Sequence, residues 1–482
     1  MNPPSSTSSD TPGWRSGLTA VLIIAGLSCI LIFLSKRPTS VPPLSSTVIA
    51  GNTVPDISHL LDDLPKVAAD TLHGRTIAAA AENAQKLPNA AESWVNLGDA
   101  IAQGQRDAAD SSYYYSHAEI VYQHALKLQP LHTGAMAGMA WVYGGRHQFD
   151  LSRLWAEKAL TLDPGNTASH GIIGDAAVEL GDYNTAFEHY QEMMDLRPDL
   201  SSWSRGAHLL WLTGHQTRAV MLMEQAIKSG APYAENTAWC RAKLAMMFFH
   251  DGALLPASKA IAPSIGAGSA NLHVRLAAGR IAAAGADFET AVMHYQMVLE
   301  SGKNLEALIA LGDIFAVRGD TFTAEKYYAE VEALHLSHRE TGVHDHMEMA
   351  RFYADHDRKL PEALKLMEEH GQSGNPFEAD TFAWVCFKNG DQSKSIEYIK
   401  TALKKARPDA EIHYHAGKIA AAAGDRVSAE KHFQQALGQN PNFSLTQAPL
   451  ALKAIKELAS SLPPPAPVPA VAPVKFSNTK LR

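Results

Sequence analysis

Residues 171–198 read GIIGDAAVELGDYNTAFEHYQEMMDLRP, and residues 414–441 read YHAGKIAAAAGDRVSAEKHFQQALGQNP. Both set down a glycine (Gly174, Gly417), then Gly-Asp seven residues on, then alanine (Ala186, Ala429). An aromatic follows four residues later (Tyr190, Phe433), and a proline closes the stretch (Pro198, Pro441). A sentence written twice with this spacing is a repeat unit, and periods of 20–50 residues mark stacked arrays.

Composition agrees with a helical array. The 482 residues are rich in Ala, Leu, Glu, Gln, Met and Lys, all good helix formers, and no long alternating run of β-branched or aromatic residues occurs. The formal charge of -8 is modest, and no Lys/Arg-rich block is present to neutralise phosphates, so nucleic acid is not expected as a partner. Cys29, Cys240 and Cys386 form no close pair, which leaves no zinc ribbon, redox motif or haem attachment to write.

In register, the copies give a 34-residue unit whose positions 8, 20, 24, 27 and 32 recur. Full copies carry Gly174, Ala186, Tyr190 and Pro198; Gly312, Ala324 and Tyr328; and Gly417, Ala429, Phe433 and Pro441. A fourth carries Trp94, Gly98, Tyr122 and Pro130 around an insertion, and weaker copies run through Pro164, Ala207, Ala245, Gly279, Ala350 and Ala383. Ten units tile residues 91–441. Small residues at positions 8 and 20 let two helix axes approach closely, and the aromatic at 24 is expected to fill the gap against the next unit's first helix. Proline at 32 stops the second helix. Gly181-Asp182, Gly319-Asp320, Gly390-Asp391 and Gly424-Asp425 supply a permissive turn followed by a capping carboxylate.

This pattern resembles the tetratricopeptide repeat (TPR). The resemblance implies an all-α fold, a right-handed α-solenoid of about ten helix hairpins with the first helices lining a concave groove, and a role in binding proteins or peptides. It implies that position 9 faces that groove: Asp99, Trp141, Asp175, His208, Met246, Arg280, Asp313, Arg351, Trp384 and Lys418. Acids come early in that row and bases late, with two tryptophans as expected anchors for a peptide of mixed charge. The Lys/Asn carboxylate clamp of heat-shock co-chaperones, which this fold resembles, has no counterpart at positions 5 and 9 here.

Outside the array, residues 17–35 (GLTAVLIIAGLSCILIFLS) are uncharged and flanked by Arg15, Lys36 and Arg37. At 1.5 Å per residue they span about 28 Å, enough for one transmembrane helix. The expected plan is a tail over 1–16, the span at 17–35, a Pro/Ser/Thr-rich linker at 36–58, a degenerate helix pair at 59–90, the solenoid at 91–443, a capping helix at 444–462 with Leu450, Ile455 and Leu458 as its apolar stripe, and a Pro-rich tail at 463–482. Resemblance to anchored bacterial repeat proteins, among them cytochrome c maturation and pilus assembly chaperones, places the chain in the inner membrane with its body outside the cytoplasm.

Two stretches break the rhythm. Residues 103–117 lengthen the first turn and gather Tyr113, Tyr114 and Tyr115, either as a contact surface or folded back on the solenoid. Residues 334–356 hold His335, His338, His344, His346 and His356, which raises a metal site or an enzyme centre as an alternative, though no H-E-x-x-H motif is formed. No separate catalytic domain fits in the remaining residues, so the expectation is a scaffold with no cofactor and no reaction. Its other alternative is self-association through the repeats.

Overall fold

The structure is a computed structural model that describes residues 61, 72–105, 112–232, 234–371, 374–405 and 407–460. The expected span at 17–35, the segments on either side of it (1–16 and 36–58) and the Pro-rich tail lie outside these residues. Among the described residues no helix is long and apolar enough to cross a membrane.

Every element among the described residues is a helix. A leading helix α1 (Leu72–Lys86) precedes ten hairpins. Hairpin 1 is α2 (Ala91–Gln105) and α3 (Ser112–Leu128), hairpin 2 is α4 (Thr133–Gly145) and α5 (Phe149–Leu162), and hairpin 3 is α6 (Thr167–Glu179) and α7 (Tyr183–Leu196). Hairpin 4 is α8 (Leu200–Leu212) and α9 (Gln216–Ser229), hairpin 5 is α10 (Glu235–His250) and α11 (Leu254–Gly266), and hairpin 6 is α12 (Leu272–Ala284) and α13 (Phe288–Glu300). Then come hairpin 7, α14 (Leu305–Val317) and α15 (Thr321–Thr341); hairpin 8, α16 (His346–Asp355) and α17 (Leu360–His370); hairpin 9, α18 (Pro376–Lys388) and α19 (Gln392–Lys405); and hairpin 10, α20 (Ala410–Ala422) and α21 (Arg426–Gln439). Helix α22 (Gln447–Ser460) closes the stack.

Hairpin 3 shows how local sequence sets these boundaries. The Asn166 side chain accepts from Ser169 N–H and starts α6. Gly181 turns the chain at φ +70°, Asp182 then accepts from Thr185 N–H to start α7, and Pro198 follows two residues after the last helical residue. Asp320, Asp391 and Asp425 cap their helices in the same way.

Within a hairpin the small residues do meet. Ala186, Ala219, Ala257, Ala291, Ala324, Ala363 and Ala429 are buried to 2% exposure or less. The aromatic at position 24 adds to the expectation: its ring also fills the space beside the position-8 glycine of its own hairpin. A methyl group on Gly174, Gly312 or Gly417 would collide with Tyr190, Tyr328 or Phe433, and one on Gly279 with Tyr295. The expected contact with the next hairpin's first helix is present as well: Tyr122 crowds Gly98 in its own hairpin and Gly138 in the next, and the Tyr328 ring lies 5.6 Å from that of Phe352.

The expected open trough is the larger correction. Each hairpin adds a small rotation, and after six of them the solenoid returns over itself. The turn between the helices of hairpin n then meets the loop that leads into hairpin n+6. His344 N–H donates to Arg146 O (3.2 Å), the Asn375 amide to Glu179 O (2.8 Å), Arg407 N–H to Leu212 O (3.0 Å) and the Asn440 amide to Phe249 O (2.9 Å). Three of these acceptors are carbonyls left over at the ends of α4, α6 and α8; Phe249 O, near the end of α10, also accepts from Gly252 N–H at 2.8 Å. Arg407 also pairs with Asp251 at 2.7 Å, and α15 touches α3. At Gly252, φ is +72° and a Cβ would meet Gln439 O at 2.6 Å, so backbone conformation and the approach of the next superhelical turn both require glycine. The repeats therefore form two stacked superhelical turns joined along a seam.

The ends fit less simply. Of the pair expected at 59–90, α1 is present and most of what precedes it lies outside the described residues. In α22 the inward face is Ala451, Ala454, Ile455 and Leu458, while Leu450, expected in the stripe, is 49% exposed. Tyr115 is buried, with its ring 5.2 Å from that of Trp141, so this part of the tyrosine cluster folds back on the solenoid.

Candidate functional site: the polar interior of the superhelix

The position-9 residues sit midway along the first helix of each hairpin, and most are taken up by partners from the chain itself. Tyr122 donates to Asp99 (2.7 Å), Tyr190 to Asp175 (2.7 Å) and Tyr328 to Asp313 (2.8 Å). Arg205 holds Asp175 through Nε and Nη2, both at 2.9 Å. Asp313 also faces His356 Nε2 at 2.7 Å. Arg280 pairs with Glu306 at 3.0 Å, and Arg351 with Asp380 (2.6 Å) and Glu411 (3.1 Å). Lys418 is half-buried.

The two tryptophans differ. Trp141 is partly exposed and lines a cavity. Trp384 was expected as a second exposed anchor; it is 3% exposed, donates to Asp355 (2.8 Å) and stacks on His415 at 4.2 Å. Its partners come from the neighbouring hairpins 8 and 10, which enclose the indole inside the wall.

A cavity of about 780 Å³ lies where hairpins 2 and 3 face hairpins 8 and 9. Asp150, Asp175, Glu179, Glu348, Glu369 and Glu378 line it with His147, His344, His346 and His370, and Trp141, Phe149 and Met347 supply apolar surface. Among the described residues that line it there is no Lys or Arg. Burial raises the pKa of Glu179; His147 opposes this, and Glu348 and Asp175 add to it. His370 reaches Glu378 at 3.4 Å, and Glu348 Oε2 is buried without a hydrogen-bond partner. Such a wall favours a cation or hydrogen-bond donors from an occupant.

Two smaller spaces follow along the interior. His208 and Met246 line one of about 230 Å³ with Trp211, Lys243, His250, His273, Arg280 and Glu306. Burial pushes His208, His250 and His273 down to about 4, with Lys243 (for His208 and His273) and Arg280 (for His250) adding to it. The other, about 380 Å³, has Arg280, Arg351, Asp313, Asp355, His356 and Glu411 on its walls, with opposite charges matched.

The histidine-rich stretch is divided among separate duties. His335 and His338 place their Nδ1 atoms 2.6 and 2.7 Å from the two oxygens of Asp345, tying the long α15 to the loop that follows. His344 and His346 stack in the large cavity, and His356 bridges Phe352 O and Asp313. Among the described residues no three His, Cys, Asp or Glu side chains come together to hold a metal ion. Cys240 and Cys386 are buried thiols, pushed by burial up to about 12 and about 11.

Residues 382–442, from hairpin 9 through hairpin 10, match a sequence model of the tetratricopeptide repeat. Hairpins 9 and 10 thus match the tetratricopeptide repeat. Solved structures similar to this chain include PilF of Pseudomonas aeruginosa, 17% identical over 45% of this chain and 93% of that one, with a TM-score of 0.33. A thermophilic TPR protein of Thermus thermophilus is 16% identical over 44% of this chain and 100% of that one, with a TM-score of 0.34. Yeast Tom70 is 11% identical over 78% of this chain and 96% of that one, with a TM-score of 0.33. No curated protein sequence matches the chain.

His147, Glu179, Glu348, His370 and Glu378 were not among the residues singled out from sequence. They lie near the ends of helices rather than at position 9, and only the return of the superhelix brings them together.

Proposed function

We propose that this chain is a TPR scaffold that holds partner proteins by its interior wall, tethered to a bacterial inner membrane by residues 17–35 with its body on the periplasmic side. The single observation that carries the binding role is the large cavity between the two superhelical turns. Its acids outnumber its bases, it offers Trp141 and Phe149, and its volume is that of an ordinary ligand site of ~300–1,000 Å³. An extended partner segment with Lys or Arg side chains beside an apolar one suits it. The reading is of a binding protein rather than an enzyme, because most charged groups along the interior are matched to one another.

Proximity labelling from the intact anchored protein tests this, with a Trp141→Ala/Glu179→Gln form alongside. A discrete set of proteins labelled by the native chain and lost with the double substitution supports the reading. Identical labelling by both forms contradicts it. Protease access to the body in osmotically opened cells tests the side of the membrane: digestion supports the periplasmic placement, and protection until the inner membrane is lysed opposes it.

A further inference from the structure

In the space of about 230 Å³ that hairpins 4, 5 and 6 enclose with Glu306 of hairpin 7, donors and positive charge exceed what the wall itself satisfies. Two cations and one acid line it. Arg280 holds Glu306 at 3.0 Å, whereas Lys243 forms no ion pair among the described residues; its ammonium lies 5.3 Å from the centroid of the Trp239 ring. The wall is therefore left with a positive charge.

Neutral donors stand beside it. Trp211 Nε1 is buried without a hydrogen-bond partner, and no described residue hydrogen-bonds to His208 or His273. A neutral imidazole still donates from one ring nitrogen. An unmade buried N–H is costly, and a desolvated ammonium without a counter-charge more so. An occupant that only accepts hydrogen bonds and carries a single negative charge relieves both, as a carboxylate does. A phosphate monoester would bring about 1.5–2 charges, more than the wall balances. Met246, Met247, Leu276 and Ala277 suit the methylenes of an acidic side chain.

A further space of about 200 Å³ lies between this one and the large cavity. It shares Glu179 and Asn375 with the large cavity, and His208, Trp211 and His250 with the smaller space. One extended segment can thus set a cation against Glu179 and a carboxylate against Lys243.

We infer that Lys243, Trp211 Nε1–H and the imidazoles of His208 and His273 form a carboxylate-binding site, filled by an Asp or Glu side chain of the segment whose Lys or Arg enters the large cavity. The site stands on its own residues; only the source of the carboxylate rests on the proposed function.

Calorimetry on the full chain in detergent tests this with acetylated, amidated peptides carrying a Lys-Phe pair and one Glu. At roughly 3.3 Å per residue, spacers of about two to eight residues cover separations of roughly 10–30 Å. The controls carry Gln for Glu or Gln for Lys, and succinate serves as a free carboxylate. At one spacing the Glu peptide is expected to bind about tenfold more tightly than its Gln form. Lys243→Gln loses that gain, Trp211→Phe loses part of it and Lys243→Arg keeps most, all with unchanged helical content. Carboxylate probes that do not bind, or that bind Lys243→Gln equally well, would overturn the site. Succinate bound through Lys243 with no gain from Glu at any spacing would overturn the peptide source. Glu peptides that bind through Lys243 whether or not they carry Lys, and are indifferent to Trp141→Ala/Glu179→Gln, would support this site while contradicting the proposed function.

Discussion

The phenol of Tyr190 donates to Asp175 at 2.7 Å while its ring covers Gly174 in the facing helix. One side chain thus fills the gap that the absent Cβ leaves and anchors its polar end at the interior wall. Tyr122 with Gly98 and Asp99, and Tyr328 with Gly312 and Asp313, repeat the device. Gly312→Ala forces the Tyr328 ring out of place and is expected to cost about 1–3 kcal/mol as an overpacked core. Tyr328→Phe loses only the hydrogen bond, about 1 kcal/mol. Urea unfolding followed by circular dichroism checks the order of the two.

Two buried acids of neighbouring hairpins are expected to respond in opposite ways to loss of charge. Burial works to raise the pKa of Asp380, but His415 and Arg351 outweigh it and hold the carboxyl below its ordinary range. Asp380→Asn removes the carboxylate that Arg351 and His415 share, leaves Arg351 with Glu411 and Asp355, and is expected to cost about 1–3 kcal/mol. Asp409 is raised to about 6 by burial and by Glu411, and its side chain caps α20. Asparagine caps as well as aspartate, so Asp409→Asn at neutral pH is expected to change stability by less than about 1 kcal/mol or to raise it. Thermal unfolding of both variants is the measurement.

Acidification acts on the interior histidines. His208, His250 and His273 titrate near 4 in the folded chain and near their ordinary value, about 6.5, once unfolded. Between those values the unfolded chain binds more protons, so stability falls as pH drops from about 6.5 toward 4. Asp409, raised to about 6 in the fold, opposes this between about 4 and 6, as do Glu179, Asp99 and Asp355, also raised by burial, while His413, lowered to about 4, adds to the histidines' effect. Asp345 and Asp380, held low, keep their contribution above the ordinary carboxylate pKa and lose it only below that. The melting temperature is expected to fall by several degrees from pH 7 to pH 5. A His208→Gln/His250→Gln/His273→Gln form should show a flatter profile over the same range.

Two of the seam's hydrogen bonds come from side-chain amides in interhairpin loops. Asn375→Ala/Asn440→Ala removes two seam hydrogen bonds of about 1 kcal/mol each, together with the Asn375 cap on α18, worth about 1 kcal/mol. Small-angle scattering should show a larger radius of gyration with helical content unchanged; an unchanged radius would show that other contacts hold the turns together.

The hairpins were legible in sequence because each signature residue acts within one unit or against its neighbour. Gly181 and Asp182 end one helix and start the next, and Ala186 needs only the helix beside it. The seam was not legible. Asn375 and Glu179 are 196 residues apart, and nothing local marks an asparagine that will donate to a helix end six hairpins away. Trp384 misled for a nearer reason: Asp355 of hairpin 8 and His415 of hairpin 10 enclose a side chain that the position-9 row reads as facing the groove. The histidines of residues 335–356 read as one cluster because they are close in sequence, yet a long helix, a loop and the start of α16 point them to different partners.

The central claim is that the second superhelical turn sits on the first in a register of six hairpins. Cysteines in place of Gln148 and His344, whose side-chain nitrogens lie 3.1 Å apart, test it most directly in a chain with Cys29→Ser, Cys240 and Cys386 being buried. Under mild oxidation or with a short bis-maleimide, a bridge between 148 and 344 within one chain, unaffected by dilution, is the expected result. No bridge, or one that disappears on dilution, would contradict the account.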